Sequence, residues 1–72
     1  RKEQEIKEYA QEVARQVNES GENEVLDFMN PYERRIVHIA AKQFPGITTK
    51  SIGNGFLKKV NVFLDKDKKT EN

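Results

Sequence analysis

Residues 30–46 read NPYERRIVHIAAKQFPG, a segment that has a helix start at one end and a helix stop at the other. Asn30 is a favoured N-cap residue, the proline after it is tolerated at the first helical position, and Glu33 completes a capping box. The Pro-Gly pair at the end of the segment stops the pattern. We therefore predict a helix that begins after Asn30 and runs to about Phe44.

One arc of this helix is basic. With a rotation of about 100° per residue, four basic or proton-binding side chains share an arc of about 100°: Arg34, Arg35, His38 and Lys42. The opposite side is apolar, and we expect it to be buried: Tyr32, Ile36, Val37, Ile39, Ala40, Ala41 and Phe44. Glu33 is placed for capping, which leaves the solvent-facing arc basic.

A second helix is predicted upstream from an apolar stripe at helical spacing. The stripe covers an arc of about 140° and consists of Ile6, Tyr9, Ala10, Val13, Ala14 and Val17. We expect this helix to run from about Lys2 to Asn18, with Gly21 as its stop and its stripe in the core. A short extended run from Glu24 to Met29 follows it.

Two strands joined by a hairpin are predicted after the Pro-Gly pair. Residues 47–52 are rich in β-branched side chains, residues 53–55 (GNG) are a strong turn signal, and residues 56–64 return as a strand. Alternation divides the return strand between two faces: Lys58, Val60, Val62 and Leu64 on one, and Leu57, Lys59, Asn61 and Phe63 on the other.

These elements predict an α+β fold in which two helices pack on one face of a small, three-stranded, mostly antiparallel sheet. We expect residues 1–64 to form a single domain. Residues 65–72 contain no apolar side chain, so we expect them to be a disordered charged tail.

Length and composition exclude several classes of protein. A chain of 72 residues has room for one small core, and the absence of cysteine excludes disulfides and thiolate zinc sites. No apolar run approaches the length of a membrane span, and the first residues lack a signal-peptide pattern. We therefore expect a cytoplasmic protein without membrane insertion.

The net charge of +1 conceals a division along the chain. Residues 1–30 carry four basic and eight acidic side chains, a balance of −4, whereas residues 34–64 carry six basic side chains and no carboxylate. A surface formed by the second segment is positive without internal neutralisation, which favours an anionic partner. The alternative is that this segment forms an ordinary solvated face.

Catalytic and metal-binding chemistry finds little support. The only histidine is His38, the serines are Ser20 and Ser51, and no nearby carboxylate completes a nucleophile, base and orienter. One histidine without cysteine also makes a poor metal site. A phosphate cradle at residues 53–55 is less favoured than a simple hairpin, because no helix start follows the glycines. We expect no enzyme activity, no metal and no cofactor.

The informative pair is Arg34 and His38. Side chains four residues apart lie on the same side of a helix, so a guanidinium and an imidazole can reach a single phosphodiester, with Arg35 and Lys42 beside them. The alternative is that Arg34 stacks on a neighbour and His38 is a half-buried packing residue.

A longer pattern surrounds this pair. Residues 29–38 (MNPYERRIVH) are continued by residues 45–47 (PGI), residues 49–53 (TKSIG) and a basic pair before Val60 and Val62. This pattern resembles the Arg-x-x-x-His (R-three-H) domain, and it is particularly similar to the version at the C-terminus of the bacterial Jag family, also called the SpoIIIJ-associated proteins. The similarity covers about residues 5–64.

The resemblance implies a module that binds single-stranded nucleic acid, most often RNA, within a larger cytoplasmic RNA-binding regulator that also carries a KH domain. It assigns Arg34 and His38 as the signature pair, with Arg35, Lys58 and Lys59 as supporting contacts. The family pattern usually has arginines at the last two positions and often an acid at Asn54. Lysine keeps the charge but loses bidentate phosphate geometry.

Two further questions stay open in the sequence. Alternation allows only one of Lys58 and Lys59 to join the basic arc of the helix, and we predict Lys59, because Lys58 shares a face with the valines that cover the helices.

The competing function is a protein-interaction or dimerisation module that docks an acidic partner through Phe63 and Leu57. Membrane-surface binding by the tail lysines is weaker, because Asp65 and Asp67 interrupt them.

Overall fold

The computed structural model describes residues 3–65, which form two helices and three strands. In chain order these are α1 (Glu3–Ser20), β1 (Glu24–Met29), α2 (Pro31–Ala41), β2 (Ile47–Ile52) and β3 (Lys58–Leu64). The sheet order is β1-β3-β2, and both pairs are antiparallel. The predicted α+β fold is confirmed. Residues 66–72, most of the predicted tail, lie outside the described residues, as does Lys2 at the predicted start of α1.

α1 buries its apolar stripe almost as predicted. Five of the six stripe residues are buried, whereas Tyr9 at the edge of the stripe is 43% exposed. The helix extends two residues beyond its predicted end and stops at Gly21, whose φ of +78° suits glycine far better than other residues. The Gly21 N–H donates to the Val17 carbonyl at 2.8 Å, which satisfies one of the last carbonyls of the helix.

α2 begins with the predicted capping box. The Glu33 N–H donates to Asn30 Oδ1 at 2.8 Å, and the Asn30 N–H donates to Glu33 Oε1 at 3.1 Å. The helix ends at Ala41 rather than at Phe44. Its last turn tightens, because the Phe44 N–H donates to the Ala41 carbonyl at 3.1 Å, a three-residue spacing that ends the α-helical ladder before the proline.

The buried side of α2 is narrower than predicted. Val37, Ala40 and Ala41 are buried, but Tyr32 and Ile39 are 60% and 58% exposed, so their assignment to the core was wrong. Both lie about 80–100° around the helix from Ala40, beyond the strip that α1 and β2 cover.

Tyr32 is anchored at this edge by a polar contact. Its hydroxyl donates to Glu3 Oε1 at 2.9 Å, and this hydrogen bond to a carboxylate raises the pKa of Tyr32. The ring therefore lies against the surface with its polar end held by α1.

β3 is the central strand of the sheet, and one of its faces packs against the helices. Val60 and Val62 are buried and Leu64 packs against the core, as the alternation predicts. The strand begins at Lys58, not at residue 56, because residues 53–57 form a five-residue loop after Ile52. Leu57 therefore lies in the loop and not on a strand face, and it is 52% exposed.

The pairing of β1 with β3 contains an irregularity. Leu26 pairs with Val60 and Met29 pairs with Lys58, so two residues of β1 stand opposite the single residue Lys59. Such a bulge twists the strand and redirects the side chains within it.

The core is small and purely apolar. Among residues 3–65 no polar or charged residue is buried, and the buried set is Ile6, Ala10, Val13, Ala14, Val17, Leu26, Met29, Val37, Ala40, Ala41, Ile47, Val60 and Val62. The four alanines allow close approach between the two helices and the sheet. Stability therefore rests on packing, and polar chemistry is left to the surface.

Candidate functional site

An open groove of about 380 Å³ lies between the N-terminal half of α2 and the sheet. Its lining combines three cationic or proton-binding side chains, two hydroxyls and two apolar groups: Arg34, Arg35, His38, Thr49, Ser51, Pro31 and Val60. Three of the four members of the predicted basic arc thus meet in one concave surface.

The two helical cations and the histidine reach the groove because the capping box fixes where α2 begins. Arg34, Arg35 and His38 lie in the first two turns of the helix, next to the end that Asn30 and Glu33 hold. Arg34 is half-buried at the border of the packed strip, whereas Arg35 and His38 are exposed.

The hydroxyls come from β2. Thr49 pairs with Val62 and Ser51 pairs with Val60, so alternation places both on the sheet face that the helices cover. Sequence reasoning assigned neither residue to the site. The signal was present, since the Thr-x-Ser spacing gives one strand face two hydroxyls, but the position of that face beneath α2 depends on the tertiary packing.

His38 is oriented by Thr49. His38 Nδ1 and Thr49 Oγ1 share a hydrogen bond at 2.8 Å. When the ring is protonated, Nδ1–H donates to Thr49 and Nε2–H remains to donate to an anion. The histidine is therefore exposed and positioned, rather than a half-buried packing residue.

Arg34 links the helix to the loop at residues 53–57. Its Nε donates to the Asn30 carbonyl at 3.5 Å, and its Nη2 donates to the Phe56 carbonyl at 3.4 Å. Both contacts are long and therefore weak. They orient the guanidinium and leave its other N–H groups available to bind an anion.

The groove lacks neutralising charge. Among residues 3–65, Arg34, Arg35 and His38 form no ion pair, and residues 34–64 contain no carboxylate. The nearest acid in sequence, Glu33, is occupied by the capping box. A concave surface with donors from two guanidiniums, an imidazole and two hydroxyls is suited to an anion with several oxygen acceptors.

Lys42 and Lys58 lie outside the groove. Lys42 is exposed at the C-cap of α2, one helical turn beyond His38. Lys58 is half-buried at the start of β3 and shares the helix-side face with Val60 and Val62 by alternation.

Lys59 does not join the helix side of the sheet, and that prediction was wrong. Its Nζ lies 5.2 Å from the centroid of the Phe28 ring, on the sheet face opposite the helices, which we call the open face. The bulge in β1 explains the contact, because it places Phe28 opposite Lys59 and favours a cation–π pair there.

The anchors predicted for protein docking are separated. Phe63 is half-buried in β3, and Leu57 lies in the loop. The exposed apolar side chains of the strands are instead Val25, Phe28 and Ile52, at 51%, 52% and 46%.

Within residues 3–65 no three histidine, cysteine, aspartate or glutamate side chains gather as a metal site would require. Neither helix of this part of the chain has the length and hydropathy that crossing a membrane requires.

Comparison with known proteins adds one finding to this geometry. A family model described as the R-three-H domain matches residues 4–69, which is nearly the whole chain and includes every residue of the groove. None of the curated proteins compared with the chain matches it.

Proposed function

Because this chain belongs to the R-three-H domain family, a family of domains that bind single-stranded nucleic acid and not a catalytic one, we propose that the groove is its phosphate-binding site. We propose further that the physiological strand is RNA. The single observation that carries the proposal is the meeting of Arg34, Arg35 and His38 in one groove without a carboxylate.

The proposed contacts follow from the donors in the groove. Arg34 and Arg35 supply guanidinium forks that match two phosphate oxygens at once, and His38 Nε2–H supplies a third donor. The hydroxyls of Thr49 and Ser51 donate to the same phosphate or to a sugar oxygen next to it. Contacts of this kind position a strand without reading its bases.

The track extends beyond the groove at both ends. Lys42 continues the basic arc along α2, and Lys58 approaches the groove from the start of β3. The length of α2 corresponds to about 15 Å, or two to three nucleotides, and Lys58 extends the track beyond the helix, so we propose that the isolated domain contacts about three to five phosphates. Lys59 contributes to the positive field but lies on the other face.

The wider setting is also a proposal. The similarity of residues 29–38 to the Jag version of the domain supports a module of a larger cytoplasmic RNA-binding regulator, and a KH domain is the expected neighbour in such a chain. A second module would raise the apparent affinity of this small site by holding the strand near it.

The open face supports a second candidate function, docking of an acidic protein or dimerisation. Val25, Phe28 and Ile52 are exposed there, with Lys59 beside them. An acidic partner with apolar side chains would complement this combination.

Chemical-shift mapping distinguishes the two surfaces. In a titration with short oligouridylate, we expect the amide signals of Arg34, Arg35, His38 and Ser51 to move together, and those of Val25 and Phe28 to remain in place. The same strand as DNA tests the preference for RNA. Shifts confined to the open face would contradict the groove as the binding site, and the absence of any shift would contradict nucleic-acid binding by this domain.

A further inference from the structure

The most exposed large apolar side chain of residues 3–65 lies in the loop that borders the groove. Phe56 is 72% exposed, and nothing in the packing of the core requires it there. Single exposed apolar side chains are common, so exposure alone assigns no role to this ring. Its position relative to Arg34 does.

The backbone of Phe56 accepts a hydrogen bond from a residue of the proposed phosphate-binding groove. Arg34, which lines the groove, donates from Nη2 to the Phe56 carbonyl at 3.4 Å. The loop that carries Phe56 begins at Gly53, whose φ of +135° is a conformation that other residues rarely adopt. A phosphate bound by Arg34 therefore lies close to the backbone of Phe56. The exposed ring of Phe56 lies beside that position.

The charge around the Phe56 ring and the flat shape of the ring indicate which class of ligand it contacts. Residues 34–64 contain no carboxylate, so the surroundings of the ring attract a polyanion. In a single strand each phosphate is followed by a base with an exposed flat face, and aromatic rings beside a basic track bind such bases by stacking. Apolar protein side chains would not require the neighbouring guanidinium.

We propose that Phe56 is a stacking platform for the base next to the phosphate that Arg34 binds. The inference rests on the proposed function and adds to it a contact with the base. Stacking is tolerant of sequence but stronger for purines, so the domain prefers oligoadenylate to oligouridylate. Phe56 thereby supplies the base-dependent part of an interaction whose other contacts are to the backbone.

The test compares Phe56→Ala with Leu57→Ala, the adjacent exposed side chain of the same loop, on two strands of equal length and charge. One strand is oligoadenylate, and the other carries abasic sugars at every position. We expect Phe56→Ala to weaken binding of oligoadenylate by about 10-fold, within the range for one stacked base, and to leave the abasic strand unaffected. Leu57→Ala changes neither affinity by more than about twofold.

A Phe56→Trp variant adds a direct signal, because the chain contains no tryptophan. Its fluorescence should be quenched by oligoadenylate and unchanged by the abasic strand. Equal affinity of the wild-type protein and Phe56→Ala for oligoadenylate overturns the stacking role while the proposed function stands. An equal loss on both strands also overturns it, since Phe56 then acts by holding Arg34. Failure of the wild-type protein to bind either strand overturns the proposed function and the inference together.

Discussion

The acidic and basic halves of the chain differ in whether their cationic side chains form ion pairs. In the acidic half, residues 3–30, Arg15 forms ion pairs with Glu12 and Glu19 on its own helix. In the basic half, residues 34–64, the cations of α2 meet no carboxylate at all. A net charge of +1 therefore averages an acidic segment and a basic one, and only the basic one attracts a polyanion.

Both halves supply the core, but the polar side chains of the groove come from the basic half. α1 contributes five buried side chains to the core and none to the groove, whereas α2 contributes three buried side chains and all three cationic or proton-binding groups of the groove. β2 belongs to both, because Ile47 is buried while Thr49 and Ser51 line the groove. Substitutions of the polar residues of the groove should thus alter binding at little cost in stability.

Charge reversal in each half should give the largest difference. The double change Arg34→Glu with Arg35→Glu places carboxylates where phosphates are proposed to bind, so we expect a loss of at least about 100-fold in affinity for a single strand. The matched control is Lys7→Glu with Arg15→Glu, which alters net charge equally on α1 and should cost less than about fivefold.

Fluorescence anisotropy with a labelled oligonucleotide measures both variants, and circular dichroism checks that each is folded. Equal losses in the two double variants would mean that only total charge matters, and the division between the halves would have no functional meaning.

A smaller effect is expected from the loss of the His38 imidazole. Its Nδ1 shares a hydrogen bond with Thr49 Oγ1 at 2.8 Å, which holds the ring so that Nε2 can contact a phosphate. His38→Ala should weaken binding of a single strand about two- to fivefold, the effect of one hydrogen bond, as measured by fluorescence anisotropy. Unchanged affinity in this variant would show that His38 does not contact the strand.

The smallest effect belongs to the acidic half. Hydrogen bonding and charge from Arg15 lower the pKa of Glu12, so the ion pair stabilises the fold above the ordinary pKa and loses its effect as the pH falls through the lowered value. Arg15→Ala should lower Tm slightly at pH 7 and not at pH 2, since exposed pairs contribute little. An equal drop at both pH values would point to lost helix packing instead.

Local sequence signals predicted most of the fold because the determinants are close in the chain. The capping box at Asn30 and Glu33, the bounds of β1 and the alternation of Val60 and Val62 each depend on a few neighbouring residues. Helical spacing paired Arg34 with His38, which the groove brings together, and the family resemblance added the role of this pair in binding nucleic acid.

Most of the wrong or missing predictions concern residues whose environment depends on tertiary contacts. Periodicity gave Ile39 to the core, but the crossing of α2 over α1 and β2 covers a narrower strip. Lys59 was assigned to the helix side although the alternation of β3 places it on the face opposite Val60 and Val62, and its contact with Phe28 across the bulge in β1 lies on the open face. Thr49 and Ser51 were not assigned to the site, since their role depends on a helix distant in sequence lying above them.

The salt dependence of binding tests the central claim most directly, because each phosphate neutralised by the basic half releases counterions. If three to five phosphates are contacted, a plot of log affinity for a single strand against log salt concentration should have a slope of about −2 to −3.5. Arg34→Ala should reduce its magnitude by about one while the fold is retained. A slope near zero, or one that Arg34→Ala leaves unchanged, would contradict an electrostatic phosphate site in the groove.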